Sequence, residues 1–179
     1  GLEGRVRKGR SGGGNSYGYD VVPGTDDDRG ARSVNEAQAA VVRRIFETYA
    51  AGQSPRAIAK ALNAEAIAAP RVASWSASTI HGNWRRGTGI LNNELYIGRL
   101  VWNRQHFVKD PNTGRRQARA NSPEKWIIEG VPDLRIVPQD LWDQVKARQK
   151  HGQSSVERTP GGYRLNGTHR QRYLFSGLL

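Results

Sequence analysis

Cysteine is absent from all 179 residues, which excludes a disulfide framework and any thiolate-held metal within them. Methionine is absent too, which suits a segment excised from a longer protein. No apolar run approaches the roughly 18 residues of a membrane-spanning helix, and the glycine-rich, basic start has no apolar stretch like that of a signal peptide. A cytoplasmic chain with no membrane partner is expected. Acid is scarce beside base: 16 Asp and Glu stand against 28 Lys and Arg, a net +12. A surplus of that size points to a polyanionic partner, nucleic acid first. The plainer alternative is charge that only keeps the chain in solution.

Catalytic signatures are missing as well. There is no nucleophile elbow, no zincin motif and no carboxylate pair in an apolar setting, and the acids of Asp26, Asp27 and Asp28 read as an exposed turn. The four histidines are scattered, and His106 with Asp110, on a strand and a turn, do not share a helical face that could hold a metal. Residues 9–16 have the glycine spacing of a phosphate loop, but Asn15 stands where its lysine is needed and a charged run replaces the buried strand. No catalytic residue, metal or cofactor is expected.

What is present reads as one modest core with polar extensions, since apolar residues make up 36% and glycine numbers 21. Residues 1–22 set Arg5, Arg7, Lys8 and Arg10 among glycines and predict a flexible basic arm. Residues 21–23 suggest a short strand, and residues 24–32 a polar loop. A helix is predicted over 35–51, with Asn35 as N-cap, Gln38 in the capping-box position and an apolar face of Ala37, Val41, Ile45 and Tyr49 beside Val42 and Phe46. A second opens at Ser54 with Pro55 in its first turn and buries Ala57, Ile58, Ala61 and Leu62. A third begins at Ser76, with Trp75 and Ile80 spaced as a hydrophobic staple.

Farther on, residues 96–103 alternate as a strand, the turn at 110–114 predicts a basic hairpin, and a strand is expected at 126–129. Pro138 starts a last helix with Leu141, Trp142 and Val145 inside and Lys146, Arg148 and Lys150 in its final turns. The expected organisation is an arm at 1–22, a DNA-binding domain at 23–150 and a linker at 151–179. The fold class is α+β, with about four helices on a small antiparallel sheet.

Helices two and three suggest a helix-turn-helix, although their gap is longer than the usual three or four residues. The third helix and the residues after it carry short polar or basic side chains that can meet base edges and phosphates: Ser76, Ser78, Thr79, His81, Asn83, Arg85 and Arg86. An ordinary solvated helix face explains them equally well. The arm's cations suit a narrow minor groove, and Arg104, Lys109, Arg115 and Arg116 of the hairpin suit the DNA backbone. Of five tryptophans, Trp84 alone falls outside core-like positions. An RNA-binding or protein-docking module would use the same basic hairpin and exposed aromatic.

Several stretches in order resemble the recombinase domain of large serine recombinases, the serine integrases. They are Gly9-Arg10-Ser11-Gly12-Gly13 with Tyr17-Gly18-Tyr19, Asn35-Glu36-Ala37 through Arg43-Arg44-Ile45-Phe46, and Tyr49-Ala50-Ala51-Gly52 through Leu62-Asn63. Trp75-Ser76, Ser78-Thr79-Ile80, Leu91-Asn92-Asn93-Glu94-Leu95-Tyr96-Ile97-Gly98 and Leu141-Trp142 continue the match. The resemblance implies sequence-selective binding of double-stranded DNA at an attachment half-site, within a site-specific recombinase that integrates or recombines DNA. It also implies that the serine-bearing catalytic domain precedes Gly1, and that residues 173–179 approach a zinc-ribbon domain beyond Leu179. By that reading the fragment is not itself an enzyme, and the parent assembles as a dimer or tetramer on DNA through its other domains. One departure stands out: residues 82–89, with Trp84, Arg85 and Arg86, look inserted. They either extend the third helix into a groove or loop out toward phosphates.

Overall fold

A computed structural model of the chain describes residues 1–24, 30–70 and 74–157. The polar loop at 24–32 lies mostly outside the described residues, as do the linker beyond 157 and the stretch at 173–179. The chain divides into two units, Gly1–Val145 and Lys146–Leu179. All the strands, the aromatic core and every helix but the last belong to the first. In the second, the described residues are helical, and Lys146 Nζ donates to Gln149 Oε1 at 2.9 Å.

The described residues form a mixed α+β structure of five α-helices and three two-stranded antiparallel sheets. In order they are α1 (Leu2–Val6), β1 (Tyr19–Val21), β2 (Arg32–Val34), α2 (Glu36–Ala50), α3 (Pro55–Ala64) and α4 (Ala77–His81). Then come β3 (Arg99–Trp102), β4 (Gln105–Lys109), β5 (Arg116–Ala120), β6 (Ile127–Gly130) and α5 (Gln139–Glu157). Strand β1 pairs with β2, β3 with β6, and the β4–β5 hairpin is nested between β3 and β6 in sequence.

The basic N-terminus differs from the expected arm. Residues 2–6 are a helix whose Val6 is fully buried, and Gly12 lies so close to Trp102 that a Cβ there would sit 2.5 Å from the indole nitrogen. Gly9, beside Val131, and Gly12 serve here as close-packing points, whereas Gly4 and Gly13 face open space. Tyr17 to Tyr19, also placed within the arm, run through the core. Tyr19 stacks on Tyr96 with centroids 6.0 Å apart, Tyr17 meets Trp75 edge-on at 5.2 Å, and the Tyr96 hydroxyl donates to Tyr17 O at 2.9 Å. The Tyr19 hydroxyl, buried, is shared between Leu134 O at 2.7 Å and Leu95 O at 3.0 Å.

Helix α2 follows its caps. Asn35 Oδ1 accepts from Gln38 N at 3.1 Å, but the Gln38 side chain does not return the bond as a capping box would. It accepts instead from Gly18 N at 2.8 Å, while Asn35 N donates to Gly18 O, so the cap fastens α2 to the residue that leads into β1. The buried face is Ala39, Val42, Ile45, Phe46 and Tyr49, and Ala37 is exposed. In α3 the Ser54 cap and Pro55 stand as expected, and Ala59, rather than Ala57, is buried beside Ile58 and Leu62. Both helices thus sit about one residue round from the pattern read off the sequence, because alanine is small enough to occupy either face.

Three further differences concern boundaries. The strand expected at 96–103 begins at Arg99, after a 3-10 turn at Glu94–Ile97 closed by Gly98. Strand β2 arises where a polar loop was expected, as the partner β1 requires. Helix α5 continues to Glu157, so Lys146, Arg148 and Lys150 lie within it and not at its C-terminal end. Among the described residues no helix is long and apolar enough to cross a membrane.

Candidate nucleic-acid interface

Asn63 brings α3 and α4 together across their long connection. Its amide donates to Trp75 O at 2.9 Å and its oxygen accepts from Trp75 N at 2.7 Å, and the two helices pack against each other. Trp75 and Ile80 are both buried, forming the staple that fixes how the chain enters α4. The indole N–H of Trp75 donates to Ile67 O at 3.0 Å. Helices α3 and α4 are thus held together across a connection longer than the three or four residues of a usual helix-turn-helix.

Helix α4 has only five residues, about 7.5 Å of axis. It stops at Gly82, whose φ of 55° lies in the left-handed region. A Cβ at Gly82 would stand 1.9 Å from Thr88 O, so the chain turns there and residues 82–89 loop out. Of the two alternatives for this segment, the loop is the one observed. Its neck is closed by Asn83 N donating to Thr88 O and Thr88 N donating to Asn83 O, both at 3.1 Å. The buried Asn92 amide donates to His81 O at 2.7 Å and Thr88 O at 2.9 Å, clamping the end of α4 to the far side of the loop.

The candidates around α4 divide by task. Ser76 is the N-cap: its hydroxyl accepts from Thr79 N at 3.1 Å and lies 2.9 Å from the hydroxyls of both Ser78 and Thr79. Asn83 Oδ1 accepts from Arg86 N, capping a 3-10 turn at Trp84–Arg86. Ser76 and Asn83 thus build the surface, while Ser78, His81, Arg85 and Arg86 are exposed on it and Thr79 is half-buried. Beside them an open cleft of about 410 Å³ is lined by Asn15, Ser16 and Tyr17 on one side and Ser78, Thr79 and the loop's glycines on the other. Asn15 and Ser16 were not among the sequence candidates, since only the folded path of the N-terminal segment brings them beside α4.

The hairpin is presented from a pinned joint. Asn103, with a positive φ of 62°, ends β3, and its amide donates to Lys125 O at 2.9 Å. The Asn121 amide donates to Asn103 O at 2.8 Å, and Trp126 Nε1 donates to Asn121 O at 3.2 Å. Beyond the joint, β4 and β5 are exposed on both faces apart from half-buried Ala118. Lys109, Arg115, Arg116 and Arg119 are all exposed, and Arg116 lies over the exposed Phe107 ring at 5.5 Å. Asp110, the hairpin's carboxylate, accepts from Asn112 N, the Thr113 hydroxyl and the Gln117 amide, and these bonds hold it below the usual aspartate range. His106 pairs with Asn121 instead of Asp110, its Nδ1 2.7 Å from Asn121 Oδ1. Among the described residues no cluster of three His, Asp or Glu gathers that could hold a metal.

Arg104 sits at the joint rather than on the basic surface. Only 16% of its side chain is exposed; the guanidinium pairs with Glu94, lies 4.9 Å over the Trp126 ring and packs under Gly87. At the N-terminus, Arg7 pairs with Glu3 at 3.0 Å on the surface, Lys8 is exposed, and Arg5 and Arg10 are half-buried. This segment is not an extended arm. Only Arg5 of its four cations lies within the helix Leu2–Val6; Arg7 is its C-cap, and Lys8 and Arg10 follow in the turn after it.

A family model described as Recombinase matches residues 36–151, which span α2 through most of α5. No curated protein and no solved structure matches the chain.

Proposed function

The chain belongs to the Recombinase family, the domain found in large serine recombinases, and from that we propose that it binds duplex DNA at an attachment half-site during site-specific recombination. The family places the chain in recombination with DNA as partner. The exposed hydroxyl, imidazole and guanidinium groups on and after α4, held by a closed loop neck, are the observation that carries the finer reading. Ser78, Thr79 and His81 have the size and donor–acceptor character to meet base edges in a major groove. Arg85 and Arg86 reach phosphates beside it, and Lys109, Arg115 and Arg116 hold the backbone farther along. Arg5, Arg7, Lys8 and Arg10 add phosphate contacts from the N-terminal turn. Catalysis of strand exchange belongs, in this reading, to a serine-bearing domain elsewhere in the parent protein.

The double variant Thr79→Ala/His81→Ala tests the assignment against a duplex selected from a random pool by the wild-type chain. The expected result is a loss of preference for the selected sequence, about 1 to 3 kcal/mol for each good base contact, with nonspecific binding little changed. Equal weakening on every sequence sinks the base-reading role of α4. Preference for structured RNA over duplex in competition favours the RNA-binding alternative instead.

A further inference from the structure

We propose that the loop of residues 82–89 is a preorganised stacking finger, in which Trp84 inserts against a base step at the edge of the α4 footprint while Arg85 and Arg86 bind the flanking phosphates. The inference rests on the duplex-binding reading and adds a residue and a mode of recognition to it.

Four observations carry it. Trp84 is 52% exposed, whereas Trp75 and Trp142 are buried and Trp102 and Trp126 are half-buried. An indole left in water at the tip of a loop is a large apolar surface with much to gain from a flat partner. The Arg85 guanidinium lies 5.3 Å from its ring centroid, so the loop already pairs an aromatic plane with a cation. Stacking of nucleic-acid bases on aromatic side chains uses that combination, because every base offers a π-face and is joined to a phosphate.

The second observation is rigidity. The paired backbone bonds between Asn83 and Thr88, the Asn83 cap on Arg86 N and the Asn92 clamp fix the loop before any ligand arrives. Little ordering is left to be done on binding, which favours affinity. Third, α4 and the loop carry no carboxylate of their own while Arg85 and Arg86 lie in the loop, and Glu94, the acid nearest the loop in sequence, is already paired with Arg99 and Arg104. This charge pattern favours a nucleic acid as the occupant. Fourth, α4 alone covers about two base pairs, taking about 7.5 Å against 3.4 Å per pair. The loop grows directly from its end and lengthens the contacted surface. An inserted indole unstacks the step it enters, which is cheapest at flexible pyrimidine–purine steps, so the finger selects sequence by deformability as well as contact.

The test uses the full 179-residue chain and a duplex selected from a random pool by the wild type, probed with permanganate, which oxidises unstacked thymines. The expected result is one hyperreactive thymine at a pyrimidine–purine step beside the protected region. Trp84→Ala should abolish it and weaken affinity roughly tenfold, whereas Trp84→Phe should retain part of both. Unchanged melting of Trp84→Ala, expected for so exposed a side chain, separates loss of stacking from loss of fold. Tight binding with no hyperreactive thymine, or a Trp84→Ala variant that keeps wild-type affinity and reactivity, overturns the finger while leaving duplex binding intact. Failure of the wild type to retain any duplex at low salt overturns the reading on which the finger rests.

Discussion

Tyr19 and Tyr96 show how single side chains set the conditions under which this fold persists. Burial raises both phenols above their ordinary value near 10, and each lies in the field of a further tyrosine. The folded state therefore keeps protons that the unfolded chain releases as pH passes about 10. Their contribution is fully present below that point and declines as pH rises above it, by up to about 1.4 kcal/mol per pH unit for each group. Urea unfolding measured from pH 7 to 11 should show this alkaline fall, and Tyr19→Phe should make it shallower. The same variant should be less stable at pH 7 by about 1 to 3 kcal/mol, since Leu134 O loses the Tyr19 donor in a buried setting while Leu95 O keeps the Gly98 N–H. A pH-independent stability up to 11 contradicts this account. Asn92 offers a second check at this scale. Asn92→Ala removes the donor to His81 O and Thr88 O, so a loss of about 1 to 3 kcal/mol is expected, with faster amide exchange at Asn83 and Thr88. Protection left as in the wild type would show that the neck holds itself.

At the scale of elements, the hairpin and the helix pair were legible in different degrees. Caps and staples identified α2, α3 and α4 from the sequence because Asn35, Ser54 and Ser76 act locally, through bonds within three residues. The N-terminal segment was not legible, because its conformation is set by Val6 and Gly12 meeting β3 and β6, contacts with residues about 90 or more positions away. The candidate site divided in the same way. Ser78, His81, Arg85 and Arg86 could be found from an exposed polar pattern, whereas the enclosure of Arg104 by Glu94 and Trp126 depends on the knee between β3 and β4. That knee also yields a prediction. Replacing residues 105–120 by a short glycine link should leave the melting temperature of the remainder nearly unchanged, since both strands are exposed. The salt slope of DNA binding should meanwhile fall by up to about 3.6, as the four cations Lys109, Arg115, Arg116 and Arg119 are lost. An undiminished slope assigns the hairpin another task.

At the scale of the whole molecule, part of the +12 surplus is structural and not surface charge. Arg32 and Arg104 are drawn into the structure: Arg32 Nη2 donates to Ser11 Oγ at 2.8 Å and to Gly14 O at 3.0 Å, its charge disfavoured by desolvation. The exposed remainder includes Lys8, Arg85, Arg86 and the hairpin cations, borne on segments with ordered backbones and few acids. Such a surface exchanges small counterions for phosphates with little reordering of its own, which makes affinity for DNA strongly dependent on salt. The most direct measurement is the dissociation constant of the chain for its selected duplex, titrated between about 50 and 200 mM salt. With six or more phosphates neutralised, the account predicts a linear log–log plot and an affinity loss of about a thousandfold or more across that range. An affinity that barely changes with salt contradicts it.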